Sequence, residues 1–94
     1  MLIANADIPT QTPGKLISRL CKHWGHKFPV IFDDRSGEIQ LSIGLCQLQS
    51  TADGLHAHLQ AAADNMPMLQ KVVADHLQRM AGDETIVVKW YNTN

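Results

Sequence analysis

The chain has 94 residues, a formal net charge of -1 at pH 7, 45% hydrophobic residues and 18% charged ones. That is enough apolar material for one small core, and it excludes intrinsic disorder, whose signature is low hydrophobicity with high net charge. A charge this close to zero, with no Lys/Arg run interleaved with aromatics, also excludes the electrostatic footprint of a nucleic-acid binder.

The chain reads as a single domain over 1–94. Met1–Pro9 has neither the basic start nor the apolar run of a secretory signal. No window approaches the roughly 18 apolar residues of a membrane span. The expected location is therefore the cytoplasm, where Cys21 and Cys46 would stay thiols.

Residues Ile3 to Ile8 alternate, with Ala4, Ala6 and Ile8 on one side and Asn5 and Asp7 on the other. Period two predicts a half-buried strand that Pro9 ends or places at an edge. Thr12-Pro13 reads as an N-cap followed by proline in the first turn. Leu16, Ile17, Leu20, Cys21 and Trp24 then recur at helical spacing, and Gly25 stands where a left-handed residue would stop the helix. Phe28 to Phe32 predicts a second strand, and Asp33 to Gly37 a turn.

Glu38 to Ser50 contains a break in parity: Ile39, Leu41 and Ile43 share one, Cys46 and Leu48 the other. Either a β-bulge at Gly44-Leu45 bends one long strand, or Ile43-Gly44 makes a tight hairpin. The bulge is the expectation, because isoleucine suits poorly a two-residue turn that needs positive φ. Leu55 to Ala61 alternates with Leu55, Ala57, Leu59 and Ala61 inward and His56, His58 and Gln60 outward. Asp64 or Asn65 starts a second helix with the stripe Leu69, Val72, Val73, His76, Leu77 and Met80, closed by Gly82. Thr85 to Trp90 predicts a last strand. The order β-α-β-β-β-α-β, with a mainly antiparallel sheet and two helices on one face, is an α+β two-layer sandwich.

The densest chemistry lies in C-K-H-W-G-H-K, Cys21 to Lys27. On a helix Cys21 and His23 differ by about 200°, so they point apart. His23 and His26 share a face only if the helical path continues past Gly25. The spacing matches no zinc signature with four closed ligands, and imidazoles near a helix C-terminus are favourable in their own right. Cys21 and Cys46 both project from inward faces, with His76 in the apolar stripe of the second helix. Thiolate and imidazole ligands together would suit iron(II), zinc or copper(I). His56 and His58 share the outward sheet face with Gln40, Ser42, Gln47, Gln49 and Gln60, and that face reads as solvated.

Leu20 to Lys27 (L-C-K-H-W-G-H-K), the G-x-I-x-L-x-I-G-x-C-x-L run from Gly37 to Leu48, L-x-A-x-L at Leu55 to Leu59, H-L-Q-R-M at His76 to Met80 and the closing V-K-W together resemble a bacterial family, domain of unknown function 2218. The resemblance covers essentially the whole chain. It implies a compact α+β fold with no established activity and, as a loose association, proximity to iron-acquisition genes. It also draws any site toward Cys21, His23, His26, Cys46 and His76, and away from His56 and His58.

Three functions follow as expectations. The first is a non-enzymatic binding or accessory protein, with Cys21, His23, His26, Cys46 and His76 as ligands if its cargo is iron, zinc or copper. The second is a structural or interaction domain, homodimeric or with another partner, through its open sheet face or edge. The third is a thiol enzyme on Cys21, which requires a depressed thiol pKa and a nearby base.

Overall fold

A computed structural model of the chain describes residues 1–92, so the last two residues of the expected 1–94 unit lie outside it. The elements are β1 (Leu2–Pro9), α1 (Pro13–Trp24), β2 (Val30–Phe32), β3 (Ser36–Leu41), β4 (Gly44–Ser50), β5 (Gly54–Ala61), α2 (Met66–Ala81) and β6 (Tyr91–Asn92). The strands form one antiparallel sheet in the order β2-β3-β4-β5-β1-β6. The α+β class, the antiparallel sheet and the two helices on one face are as the periodicity indicates.

Register builds the core. Ala4 pairs with Leu59, Leu59 with Cys46, and Cys46 with Ile39. The neighbouring inward row is Ala6, Ala57, Leu48 and Gly37. Both rows are buried under Leu16, Ile17, Leu20, Cys21 and Trp24 of α1 and Leu69, Val73 and Leu77 of α2. Gly37 lies where α1 comes down onto the sheet: a Cβ there would stand 2.7 Å from Cys21 Sγ and 3.1 Å from Ile17 Cγ2.

Three sequence expectations are corrected. Glu38 to Ser50 is not a bulged strand but the β3–β4 hairpin, with Leu41 paired to Gly44 across the two residues Ser42-Ile43. A two-residue loop sets each position opposite one of the other parity (Ile39 opposite Cys46, Gly37 opposite Leu48), so the parity break is what a hairpin requires. Neither turn residue has positive φ, which removes the objection to isoleucine. Gly44 is needed for room, since a Cβ there would meet Gln60 O at 2.6 Å and Leu69 Cδ2 at 2.7 Å. The sandwich therefore has one strand more than expected.

The second correction concerns Thr85 to Trp90, which is not a strand; pairing to β1 begins only at Tyr91. Its alternation is real, with Ile86 buried and Val88 and Trp90 packed against the core. The backbone meets a side chain instead of a strand: Gln78 Nε2 donates to Glu84 O at 2.8 Å, and Ile86 N donates to Gln78 Oε1 at 3.1 Å. The third is Gly25, which sits at φ -61°, ψ -16° and not in the left-handed region, whereas Gly82 does end α2 at φ 63°.

Gly37→Ala should destabilise the fold by about 1–3 kcal/mol, the usual range for overpacking. Much of that loss should disappear in a Cys21→Ala background, because the nearest obstacle is the thiol. Gly44→Ala should show no such relief, since its obstacle is the backbone of β5. Urea unfolding of the single and double variants measures both couplings.

Candidate functional site

The C-terminal turn of α1 assembles the site. Gly25 N donates to Cys21 O at 2.8 Å, and the amides of Lys27 and Phe28 both donate to Trp24 O at 3.0 and 2.9 Å. With Gly25 in the helical region the chain keeps curling, and this is the condition that brings His26 to the side of His23. Trp24 is only 5% exposed and forms the floor.

From α2, His76 lays its ring against Trp24 with 4.7 Å between ring centroids and against His23 with 5.3 Å. His76 Nδ1 lies 2.8 Å from Val72 O. A carbonyl oxygen can only accept, so Nδ1 carries the proton, and Nε2 of the neutral ring is the basic nitrogen.

These residues line a cleft of about 350 Å³. Phe28, Leu41, Ile43 and Val72 make its apolar walls, and Leu41, Ser42 and Ile43 come from the tip of the β3–β4 hairpin. Lys27, His23, His26 and His76 are its ionisable groups, and its lining contains no aspartate or glutamate. Among the described residues, His23, His26 and Lys27 make no side-chain hydrogen bond or ion pair.

The five residues singled out in the sequence divide into two groups. His23, His26 and His76 meet at the cleft. Cys21 and Cys46 do not; both are fully buried free thiols in the core. Desolvation pushes the Cys21 thiol up to about 11. Burial, with Cys21 close by, raises Cys46 further still. A thiolate is both the nucleophile and the metal-binding form, and this environment opposes it, which withdraws support from a thiol enzyme on Cys21. Among the described residues no group of three or more His, Cys, Asp or Glu side chains is placed to hold a metal ion.

The opposite sheet face is more ordered than a solvated surface. His56 Nδ1 meets Asp7 Oδ1 at 2.6 Å, His56 Nε2 and His58 Nδ1 both meet Asn5 Oδ1 at 3.0 and 2.9 Å, and Gln60 Nε2 meets His58 Nε2 at 3.2 Å. Tyr91 donates to Asp7 Oδ2 at 3.0 Å and so ties β6 to this row. Alternation alone places these residues outward; only the β1–β5 register sets Asn5 opposite His58 and Asp7 opposite His56.

A wider depression of about 590 Å³ crosses the same face beside Ile31, Glu38, Gln47, Gln49 and His56. Its polar groups are already used, Gln47 on Glu38 at 2.8 Å and His56 on Asp7. The smaller cleft, with its basic groups unspent, is the better candidate despite its size.

A family model described as "Uncharacterized protein conserved in bacteria (DUF2218)" matches residues 5–91. The chain belongs to this family. The match spans the cleft-forming turn, the β3–β4 hairpin and both helices. The NMR structure of PA4090 from Pseudomonas aeruginosa is similar to this fold with a TM-score of 0.76 at 34% sequence identity, covering 97% of this chain and 96% of that one. No curated protein matches. Among the described residues no helix is long and apolar enough to cross a membrane.

Two outcomes follow from these environments. Native protein should react with iodoacetamide only at the rate at which it unfolds, so that mild urea accelerates alkylation of Cys21 and Cys46 in step with the loss of structure. The second concerns Asp7, whose carboxyl is held below its ordinary value chiefly by the hydrogen bond to His56, then by that from Tyr91. A depressed carboxyl pKa gives a contribution that is present above the unfolded-state value, about 3.9, and lost as pH falls through the folded one. Amide exchange at Ala4, Asn5 and Tyr91 should therefore show loosening of β6 below that range, and in Asp7→Ala already at neutral pH.

Proposed function

We propose that this protein is a non-enzymatic binding protein that holds a small organic ligand in the cleft between the end of α1, the face of α2 around His76 and the β3–β4 turn. The carrying observation is the meeting, at one cavity of about 350 Å³, of apolar walls with the side chains of His23, His26 and Lys27, which make no hydrogen bond or ion pair among the described residues. Ligand sites have this make-up: a concave apolar surface, roughly 300–1,000 Å³ in volume, with a few convergent polar groups. The buried, desolvated thiols favour binding over covalent chemistry. The open sheet face supports a docking role less well, because its polar side chains satisfy one another.

A transition metal is a second reading, favoured by one observation: the His23 and His76 rings lie 5.3 Å apart, and His76 Nε2 is the nitrogen not committed to Val72. Two imidazoles supply half of a tetrahedral shell, so zinc, copper(I) or iron(II) would need ligands brought from outside the cleft. Cys21 and Cys46 support this reading poorly from within the core.

The test is a two-dimensional NMR screen of isotope-labelled protein against mixtures of small organic compounds, followed by zinc, copper(I) and iron(II). Shifts at His23–Phe28, Leu41–Ile43 and Val72–His76, including the Trp24 indole, are the expected result. Ile43→Asp should weaken any such ligand at least about tenfold, since it sets an unpaired charge in an apolar wall. Shifts confined to the sheet face would overturn the cleft reading. Metal-induced shifts of the His23 and His76 rings, with no organic hit, would favour the second reading.

A further inference from the structure

We infer that the ligand of this cleft is a small aromatic carboxylate, held by its charge at Lys27, His23 and His26 and by its ring against the apolar wall. The inference rests on the binding reading above and adds the chemical class.

The charge argument starts from an asymmetry. The chain as a whole carries -1, with nine acidic and eight Lys/Arg residues. The cleft lining nevertheless holds one lysine and three histidines and no acidic residue.

A purely structural explanation is available, in that cationic side chains suit a helix C-terminus, whose macrodipole amounts to about half a negative charge. The hydrogen bonds argue against it. Trp24 O is taken by the amides of Lys27 and Phe28, and Cys21 O by that of Gly25, so backbone donors serve two of the carbonyls at the end of α1. The three basic side chains serve neither these carbonyls nor any carboxylate among the described residues. A lysine ammonium at Lys27 outweighs the half charge of the dipole, and the rings of His23 and His26 each offer at least one N–H donor in either tautomer.

The ring argument comes from the walls. Phe28, Leu41, Ile43 and Val72 line the cleft with apolar surface together with Trp24, and a cavity at the small end of the usual ligand range admits one or two fused rings, not an extended chain. An anion without an apolar body would leave that surface wet. A neutral ring would leave Lys27 unpaired.

The experiment compares matched pairs by NMR titration: benzoate against benzamide and benzylamine, and indole-3-acetate against indole-3-acetamide. The expected result is shifts at the cleft with the acid binding roughly tenfold tighter than its amide, a preference that fades at high salt and is lost in Lys27→Gln with His23→Gln. Both positions are exposed, and an otherwise unchanged spectrum shows that the fold is intact. Equal binding of acid and amide at the cleft would overturn the anion inference and leave the binding reading standing. Tighter binding of benzylamine would also overturn it. No shift at the cleft with any of the five probes would remove the carboxylate inference, and no cleft shift in the broader screen would remove the binding reading as well.

Discussion

The two-residue turn at Ser42-Ile43 is the constraint on which most of this structure depends. It sets Ile39 opposite Cys46 and Gly37 opposite Leu48, and β5 and β1 take their register from β4 in turn. A slip of one residue at that turn would rotate β3 by one face, turning Ile39 out and Glu38 and Gln40 into the core. Gly37 would no longer lie beneath Cys21, and α1 would lose the close approach that an absent side chain allows. The same turn presents Leu41 and Ile43 to the cleft, so the geometry of the site and the registration of the core have one origin.

Polar chemistry is sorted by layer. The inner layer between sheet and helices is apolar throughout and encloses both thiols, whose pKa values rise because nothing there stabilises a thiolate. On the outer face of the sheet Asp7, His56, Asn5, His58 and Gln60 form a chain of hydrogen bonds between β1 and β5, with Asn5 itself nearly buried. The cleft lies at the border of the two layers, where the end of α1 leaves the core. There Trp24 is still buried, while His23, His26 and Lys27, its near neighbours in sequence, are exposed. Apolar surface and uncommitted donors meet there because the helix ends there.

Much of the fold was legible in the sequence where one local rule decided the outcome. The inward sets Ala4, Ala6, Ile8 and Leu55, Ala57, Leu59, Ala61 follow from alternation, and the α1 stripe from a period of 3.6; all are buried. Reading failed where two rules gave the same pattern. A bulge and an even-length hairpin both invert parity, and only the pairing of β3 with β4 tells them apart. Ile86, Val88 and Trp90 alternate like a strand, yet Gln78 occupies the place a neighbouring strand would take. At the site, the residues of the C-K-H-W-G-H-K motif part company for a related reason: helical phase turns Cys21 into the core and away from His23, but the backbone conformation of Gly25, which places His26, is not written in the residue type.

By itself, then, the sequence determined the class of fold, the identity of the helices and most of the core, since composition and periodicity act over a few residues and need no partner. Only the tertiary structure decided that His76 packs its ring against those of Trp24 and His23 across more than fifty residues of chain, that Cys21 and Cys46 are sealed away from them, and that His56 and His58 belong to a bonded row and not to a bare surface. These are contacts between distant segments, fixed by strand register and by helix packing on the sheet. Free energy of that kind is shared among partners that local sequence cannot name.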